Sequence, residues 1–262
     1  MNPTLEILHN RKSIRAYRNE PLTKEEKQTI IQAALRSPTA GNLMLYSIID
    51  ITQDSAKTTL AKTCDNQPFI AKAPFVLLFL ADYQRWMDYF DTCDLDSFKK
   101  TQNLPDRTPD TGDLFLACCD ALIAAQTAVI AAESIGVGSC YIGDIMENYE
   151  VHRDLFRLPR YVFPISLVCF GKPTEKQIKR ELTQRFDQDY ICFKDTYRQF
   201  DKNEFKTMFD KRTKQTFGQK NKIKGAVNFG QYIYNKKFTA DFTYEMSRSV
   251  NKIIAAWTGR EA

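Results

Sequence analysis

The longest apolar stretch of the sequence covers residues 113–135, and it constrains the fold more than any other feature. Apolar residues occur on nearly every side of the helix that this stretch predicts, as in a helix buried in a core or at a subunit interface. Gly136 follows and is suited to end that helix. Residues 114–132 are also the best candidate for a membrane span, but Asp120 and Gln126 interrupt them and their length is marginal. We therefore expect a buried helix.

Helices and strands alternate irregularly along the rest of the chain. Thr23 and Glu26 form a capping-box pattern, which predicts a helix that stops at Ser37 and Pro38. Residues 83–110 predict a helix and a long loop. Further helices are expected at residues 4–10, 54–63 and 241–257, and strands at residues 46–52, 75–81, 140–145 and 162–170. This order favours an α+β architecture.

Length and charge exclude several classes of protein. A chain of 262 residues, 43% of them hydrophobic, fits one sizeable domain better than two small ones. Its 37 basic and 32 acidic residues leave a net charge of +5, which is compatible with anionic ligands such as nucleotides. That excess is too small to indicate nucleic-acid binding without a concentrated basic stripe.

Cysteine and histidine usage point to a reducing compartment and to no metal centre. The seven cysteines include no C-x-x-C pair and lie mostly in apolar runs, which favours reduced, buried thiols over disulfides or a zinc site. Only His9 and His152 are available for a metal centre or a Ser/His/Asp triad. The first residues lack the apolar segment of a secretory signal. We expect a cytoplasmic protein.

The segment RKSIR at residues 11–15 is a candidate phosphate site. In an extended segment Arg11, Ser13 and Arg15 share one face, whereas Lys12 and Ile14 point the other way. Two guanidinium groups with a hydroxyl between them suit a phosphate, because their planar donors engage its oxygens in pairs. The alternative is a solvated cationic edge strand, and the local motif alone does not decide.

Two loops could contact a planar ligand. Residues 37–42, SPTAGN, provide the Thr39 hydroxyl, the Asn42 amide and, at Gly41, a point of close backbone approach. A plain turn that ends a helix is the alternative. Gln67 can offer an amide to a heterocycle edge that both donates and accepts hydrogen bonds, or it can simply be solvated.

The glycine-rich segment at residues 136–144, GVGSCYIGD, does not fit a dinucleotide-binding fingerprint, because Tyr141 stands where the third glycine is required. It is either a flat support beneath a ring or a tightly packed turn of the core. A basic cluster follows the last strand, and it is either a second arm to a phosphate or a solvated face. Its members are Lys172, Lys176, Lys179, Arg180 and Arg185.

Taken in order, these segments resemble the FMN-dependent nitroreductase family, specifically its larger branch of flavin- and nitroaromatic-reducing enzymes. The agreement spans most of the chain, including a C-terminal segment at residues 228–250. The matching pieces are RKSIRAYR at 11–18, SPTAGN at 37–42, NQ at 66–67, AP at 73–74, GSCYIGDI at 138–145 and CFGKPTEKQ at 169–177.

The resemblance implies roles for individual residues. The FMN phosphate and ribityl chain would be bound by Arg11, Lys12, Ser13 and Arg15. The isoalloxazine would lie near Thr39, Gly41 and Asn42, with Gln67 on its pyrimidine side and Tyr141, Ile142 and Gly143 against the ring. The sequence departs from the family pattern at residues 178–185, so the second phosphate arm stays open between Lys179, Arg180 and Arg185.

The resemblance also implies a fold and an activity. The fold would be α+β, with a mixed central sheet flanked by helices, in an intertwined homodimer with a long buried interface helix. Residues 1–262 would form a single domain, with a flavin-binding core at 1–171 and a C-terminal extension at 172–262. FMN carries the hydride chemistry in such enzymes, so no catalytic acid/base pair is required.

The activity implied is a ping-pong oxidoreductase that uses NADPH or NADH to reduce nitroaromatics, quinones or flavins. Small-molecule acceptors and a second copy of the chain would be its partners, with no nucleic acid and no membrane. Flavin or ferric reduction or dehalogenation for a partner is an alternative on the same fold. A non-catalytic phosphate- or nucleic-acid-binding protein is the alternative from another class, and it would bind DNA or RNA in a salt-dependent manner.

Overall fold

A four-stranded sheet forms the centre of the larger of two units in this computed structural model. The structure describes residues 1–218 and 225–260. The strands are β1 (Tyr46–Asp50), β2 (Phe75–Asp82), β3 (Gly138–Ile142) and β4 (Val162–Gly171), in the order β1-β2-β4-β3. Every residue of β2 is buried, as the unbroken apolar run predicts for a central strand.

The α+β architecture is confirmed, but the sheet differs from the mixed sheet that was expected. Its three strand pairings are all antiparallel. Parallel pairing within the described residues is limited to one isolated bridge, Ser13 with Ser139, because the extended N-terminal segment touches β3 at a single residue. A bulge lies between Phe79 and Leu80, opposite Pro164, whose missing N–H cannot take part in a ladder.

Helices cover both faces of this sheet. They are α1 (Pro3–Asn10), α2 (Lys24–Leu35), α3 (Asp54–Thr63), α4 (Phe69–Lys72), α5 (Gln84–Asp91), α6 (Leu95–Gln102), α7 (Thr111–Ser134), α8 (Tyr149–Phe156) and α9 (Glu175–Ile178). Alternate residues of β2 separate the two layers: Leu77 and Phe79 pack with α2 and α7, whereas Val76 and Leu78 pack with α3 and α4. The predicted capping box at Thr23 and Glu26 is present.

Helix α7 is buried on one side only. Its sheet-facing side consists mainly of alanines, whose small side chains let the helix lie close to the sheet: Ala117, Ala121, Ala124, Ala125, Ala128 and Ala132. The other side is open in the single chain, where Phe115 is 69% exposed. By length and composition α7 is also the one helix of the described chain that could cross a membrane. Its packing against the sheet is that of a core helix.

The second unit comprises residues Thr183–Tyr244, of which 183–218 and 225–244 are described. It contains α10 (Lys202–Gly218), α11 (Phe229–Ile233) and a π-helical turn (Tyr234–Phe238). Aromatic side chains make up much of its interior: Phe209 contacts both Phe186 and Phe229, at ring-centroid distances of 5.2 and 6.0 Å. This unit is therefore organised around rings and not around a sheet.

Helix α12 (Asp241–Thr258) returns the chain to the core of the first unit. Ile253 and Trp257 are buried there, and Trp257 meets Tyr161 edge to face with ring centroids 5.5 Å apart. The end of the described chain is thus part of the same core as the sheet.

The cysteines depart from the expectation of mostly buried thiols. All seven are free, but only Cys64, Cys140 and Cys169 are buried. Cys118 is half-buried, and Cys93, Cys119 and Cys192 are exposed. The apolar run around Cys119 misled the prediction, because this cysteine lies on the open side of α7.

Candidate functional site

The extended segment at residues 11–18 lies beside the first residues of β3. Ser13 forms a bridge with Ser139, and the Ile14 N–H donates to the Ser139 carbonyl at 2.7 Å. Gly138 makes this approach possible, since a Cβ there would stand 2.5 Å from Ile14 Cγ1. The small residue at position 138 therefore sets how closely the cationic segment approaches the sheet.

The same segment is fixed at its other end by the chain that follows β4. Tyr17 bridges to Pro173, and the Arg18 N–H donates to the Lys172 carbonyl at 2.8 Å. Gly171 is required here as well, because a Cβ would stand 2.6 Å from the Tyr17 ring. Three segments that are distant in sequence are thus joined, at residues 11–18, 138–142 and 171–180.

Two of the predicted phosphate-binding cations are already engaged with backbone carbonyls. Lys12 Nζ donates to the carbonyls of Ile178 and Arg180, at 2.9 and 2.5 Å. The Arg180 guanidinium in turn donates to the Ser13 carbonyl. Lys12 and Arg180 therefore hold residues 11–15 and 178–180 together. Lys179, between them, is exposed.

Two other guanidinium groups remain available. Among the described residues, Arg11 Nη1 is buried and has no hydrogen-bond partner, and the hydroxyl of nearby Ser139 is in the same condition. Arg15 is exposed, and its side chain makes no hydrogen bond or ion pair with the described residues. Buried donors without acceptors, here Arg11 Nη1 and the Ser139 hydroxyl, are costly unless a ligand satisfies them. Such donors fit an anionic group such as the phosphate of FMN.

One carboxyl group borders this cluster of donors. Glu133, near the end of α7, has a buried oxygen without a hydrogen-bond partner in residues 1–218 and 225–260. Burial raises its pKa to about 7, while the positive charges of Arg11 and Lys12 act in the opposite direction. Glu133 is thus the acidic neighbour of an otherwise cationic region.

The turn at residues 39–42 takes left-handed backbone conformations. Gly41 and Asn42 have φ of 55° and 57°, values that glycine and asparagine adopt at the least cost. The Thr39 hydroxyl accepts a hydrogen bond from the Met44 N–H at 3.4 Å. Thr39 is therefore used at least partly to hold the turn in shape.

Asp120 of α7 fixes this turn. In the sequence this residue stands out only as an interruption of an apolar helix. Its side chain is 2% exposed, and its two carboxylate oxygens accept from the N–H groups of Ala40 and Leu45, at 3.0 and 3.1 Å. A lone acid inside an apolar helix was the available signal, because a buried carboxylate requires donors. Which backbone it serves depends on the tertiary fold.

Gln67 is not a solvated loop residue. Its Nε2 donates to the Cys64 carbonyl at 3.1 Å and to Asp144 Oδ2 at 2.7 Å. Asp144 directly follows Gly143, so Gln67 is tied to the glycine-rich segment, as a shared site requires. Asp144 was not among the predicted site residues.

Residues 141–143 run from Ser139, beside the cationic segment, to Asp144, the partner of Gln67. Tyr141 Oη donates to Gln126 Oε1 of α7 at 3.3 Å, and the Ile142 side chain is buried in the core. Ile142 can therefore face a ligand only through its backbone. Gly143 is exposed, and a Cβ there would meet nothing within 4 Å. From Ser139 to Gly143 an extended chain covers about 13 Å.

Arg185 belongs to the second unit, whereas the other predicted site residues belong to the first. It is exposed and lines a cavity of about 540 Å³ within that unit, together with Phe186 and Lys206. Among the candidates for the second phosphate arm, Arg180 of the first unit contacts the segment at residues 11–15.

Comparison with known proteins identifies the family of this chain. The model of the nitroreductase family matches residues 8–172. An FMN reductase (NAD(P)H) of Bacillus subtilis (strain 168) is 32% identical over 197 residues, which are 75% of each chain. An oxygen-insensitive NADPH nitroreductase of Salmonella typhimurium is 30% identical over 202 residues, 77% of each chain.

The fold has close counterparts among solved structures. The NADPH:FMN oxidoreductase from Vibrio harveyi, complexed with NAD+, superimposes with a TM-score of 0.77 over 97% of this chain and 98% of that one, at 24% identity. The chain belongs to the nitroreductase family of oxidoreductases. The resemblance noted in the sequence is thereby confirmed.

Proposed function

We propose that this chain is an FMN-dependent oxidoreductase that takes electrons from NADPH or NADH and passes them to small acceptors. The observation that carries the proposal is a set of donors without acceptors among the described residues, on Arg11, Arg15 and Ser139. They lie next to β3, which leads to Gly143 and to Asp144, the partner of Gln67. Relatives named FMN reductase and NADPH nitroreductase support the same assignment.

The phosphate end of FMN would be bound by Arg11, Ser13 and Arg15. Lys12 and Arg180 would contribute mainly by holding the cationic segment in place, because their charged groups donate to backbone carbonyls. Lys179 and Arg185 are weaker candidates: Lys179 is exposed, and Arg185 belongs to the second unit. This division refines the equal roles that the resemblance implied.

The ring of FMN would lie between the turn at residues 39–42 and the segment 141–143. Thr39, Gly41 and Asn42 would border it on one side, and Gln67 would face its pyrimidine edge. When bound, FMN supplies the capacity to accept a hydride and to pass electrons on. The protein binds, orients and shields it, so the chemistry needs no catalytic acid/base pair.

We propose a ping-pong reaction, in which the nicotinamide nucleotide and the acceptor occupy the same cleft in turn. Nitroaromatics and free flavins are the acceptors favoured by the names of the relatives, and quinones share the same electrophilic character.

We further propose that the enzyme is a cytoplasmic homodimer that associates with neither nucleic acid nor a membrane. The open side of α7 presents four apolar side chains, and α1 beside it adds two more, a patch suited to a second copy of the chain. The exposed residues are Phe115, Leu116, Leu122 and Ile123 on α7 and Leu5 and Leu8 on α1. A dimer mass in sedimentation equilibrium would support this proposal, and a monomer mass would oppose it.

A visible spectrum tests the main proposal. The purified protein, incubated with FMN and desalted, should be yellow, and anaerobic NADPH or NADH should bleach the flavin absorption band. Adding nitrofurazone, a quinone or free FMN should restore the band at rates that rank the acceptors. A protein that stays colourless, or whose bound flavin no nucleotide reduces, would overturn the proposal.

A further inference from the structure

The amide of Gln67 is held in one orientation. Both of its N–H groups are used, since Nε2 donates to the Cys64 carbonyl and to Asp144 Oδ2. Both partners are acceptors, so the nitrogen must face them. Oε1 forms no hydrogen bond with the described residues and remains available to a ligand. Gln67 thus presents an acceptor, and this holds as long as Asp144 stays a carboxylate.

A second carboxyl group stands behind Asp144. Glu147 is only 4% exposed, and its Oε1 is buried without a hydrogen-bond partner among the described residues. Its backbone N–H donates to the Asp144 carbonyl at 3.1 Å, which places the two side chains on one short turn. A carboxyl group this buried, beside a second acid, ionises only at a large cost.

The groups around Glu147 favour its neutral form. Burial, and next the charge of Asp144, raise its pKa to about 8, with Asp65 at the end of α3 and Glu245 of α12 acting in the same direction. The cation nearest to Glu245 is Arg248, which is shared with Glu150 at 2.8 Å. His152 of α8 has its pKa lowered by burial and is bonded to Thr63 and to the Ile145 carbonyl.

We infer that Glu147 is a positioning residue: in its protonated form it keeps the Asp144 side chain in place, and Asp144 in turn holds Gln67 with Oε1 toward the ligand. The inference rests on the proposed function, in which Gln67 meets the pyrimidine edge of FMN. That edge carries an N–H, which an outward-facing amide oxygen accepts. Loss of the Glu147 proton puts two charges side by side and loosens the contact between Asp144 and Gln67.

The consequence is a pH dependence that adds to those of the FMN phosphate, which ionises at about pH 6, and of Glu133. FMN affinity should fall as the pH rises through the pKa of Glu147. Glu147→Gln provides the test, because glutamine has the same shape, can donate a hydrogen bond and never ionises. Glu150→Gln is the matched control, since Glu150 is a partly exposed acid on the next helix, paired with Arg248.

The experiment measures the Kd of FMN by flavin fluorescence from about pH 6 to about pH 9. Relative to Glu147→Gln, wild type and Glu150→Gln should both lose affinity by about threefold to tenfold across this range, because the FMN phosphate and Glu133 contribute equally in all three proteins. Asp144→Asn should bind more weakly than wild type at every pH. A Glu147→Gln protein with the same pH profile as the wild type would overturn the inference.

A second readout does not depend on FMN. In ¹⁵N-labelled protein the protection of the Gln67 side-chain amide, which is its exchange rate relative to that of an unprotected amide at the same pH, should be high at low pH and lower above the pKa of Glu147. Glu147→Gln should remove that change in protection. If the wild type binds no FMN, the proposed function fails while this measurement still tests the link from Glu147 to Gln67. If FMN binds and the amide exchange does not respond to Glu147, only the inference fails.

Discussion

The two ends of the candidate site use charge in opposite ways. The cationic end is defined as residues 11–15 with Ser139, and there the side chains of Arg11 and Arg15 have no acceptor in the part of the chain that the structure describes. At the carboxylate end, defined as residues 39–45, Gln67 and residues 143–147 with Asp120, the acids Asp120 and Asp144 are engaged by N–H donors of the protein. At one end the charged groups are therefore available to a ligand, and at the other end they hold segments of the protein in place.

The difference has a physical reason. A phosphate carries its charge on oxygens that accept hydrogen bonds, so unpaired donors are the useful feature beside it. A planar ring needs chain segments held at a fixed distance and in a fixed orientation. Buried carboxylates achieve that, since each can accept several N–H groups from separate segments.

Removing the carboxylate of Asp120 should give the largest energetic change at either end of the site. Asp120→Ala leaves the N–H groups of Ala40 and Leu45 buried and unpaired, so the free energy of unfolding should fall by about 2 to 5 kcal/mol in urea titrations. Asp120→Asn, which keeps one acceptor, should lie between. Asp88→Ala, at an exposed acid on α5, should change stability by less than about 0.5 kcal/mol. Equal stabilities for all four proteins would refute the shaping role.

Arg15→Ala should weaken FMN binding without comparable loss of stability. The lost charge-assisted hydrogen bond corresponds to about 1.5 to 3 kcal/mol of binding free energy, or about 10-fold to 150-fold in Kd by fluorescence titration. Lys237→Ala in the second unit is the control, and it should leave the Kd unchanged. An Arg15→Ala protein that binds FMN like the wild type would remove Arg15 from the phosphate site.

Gly138→Ala probes the geometry of the cationic end instead of its charge. The new methyl group would meet Ile14 at 2.5 Å, so either the strand or the cationic segment must move. Stability should fall by about 1 to 3 kcal/mol in thermal or urea unfolding. Gly112→Ala on α7 is the matched control, because its methyl group meets nothing within 4 Å and alanine favours a helix. Wild-type stability in Gly138→Ala would show that the approach at residue 138 is looser than described.

Local sequence patterns predicted the regular elements well and the side-chain partnerships poorly. The capping box at Thr23 and the apolar run of β2 are local signals, and the structure confirms the helix and the strand that they predicted. Helix α8 was not predicted: only Tyr149 and His152 are buried on it, too few to give a recognisable period. The end of β3 came earlier than expected, because the chain turns into a short 3-10 helix at Gly143.

The candidate site shows the same limit. The adjacency of residues 11–15 and 138–139 was expected from the family resemblance, and the structure brings them together. The division between available and engaged cations was not foreseeable, since it depends on where the carbonyls of Ile178 and Arg180 fall in space. Asp120 and Glu147 were missed for the same reason.

The return of α12 into the sheet core makes the second unit an insert whose two attachment points both belong to the first unit. An insert of this kind adds a loop-closure entropy that grows only with the logarithm of its length. Its sequence and size can therefore vary widely among related chains at small thermodynamic cost, as long as Trp257 and its neighbours still complete the core.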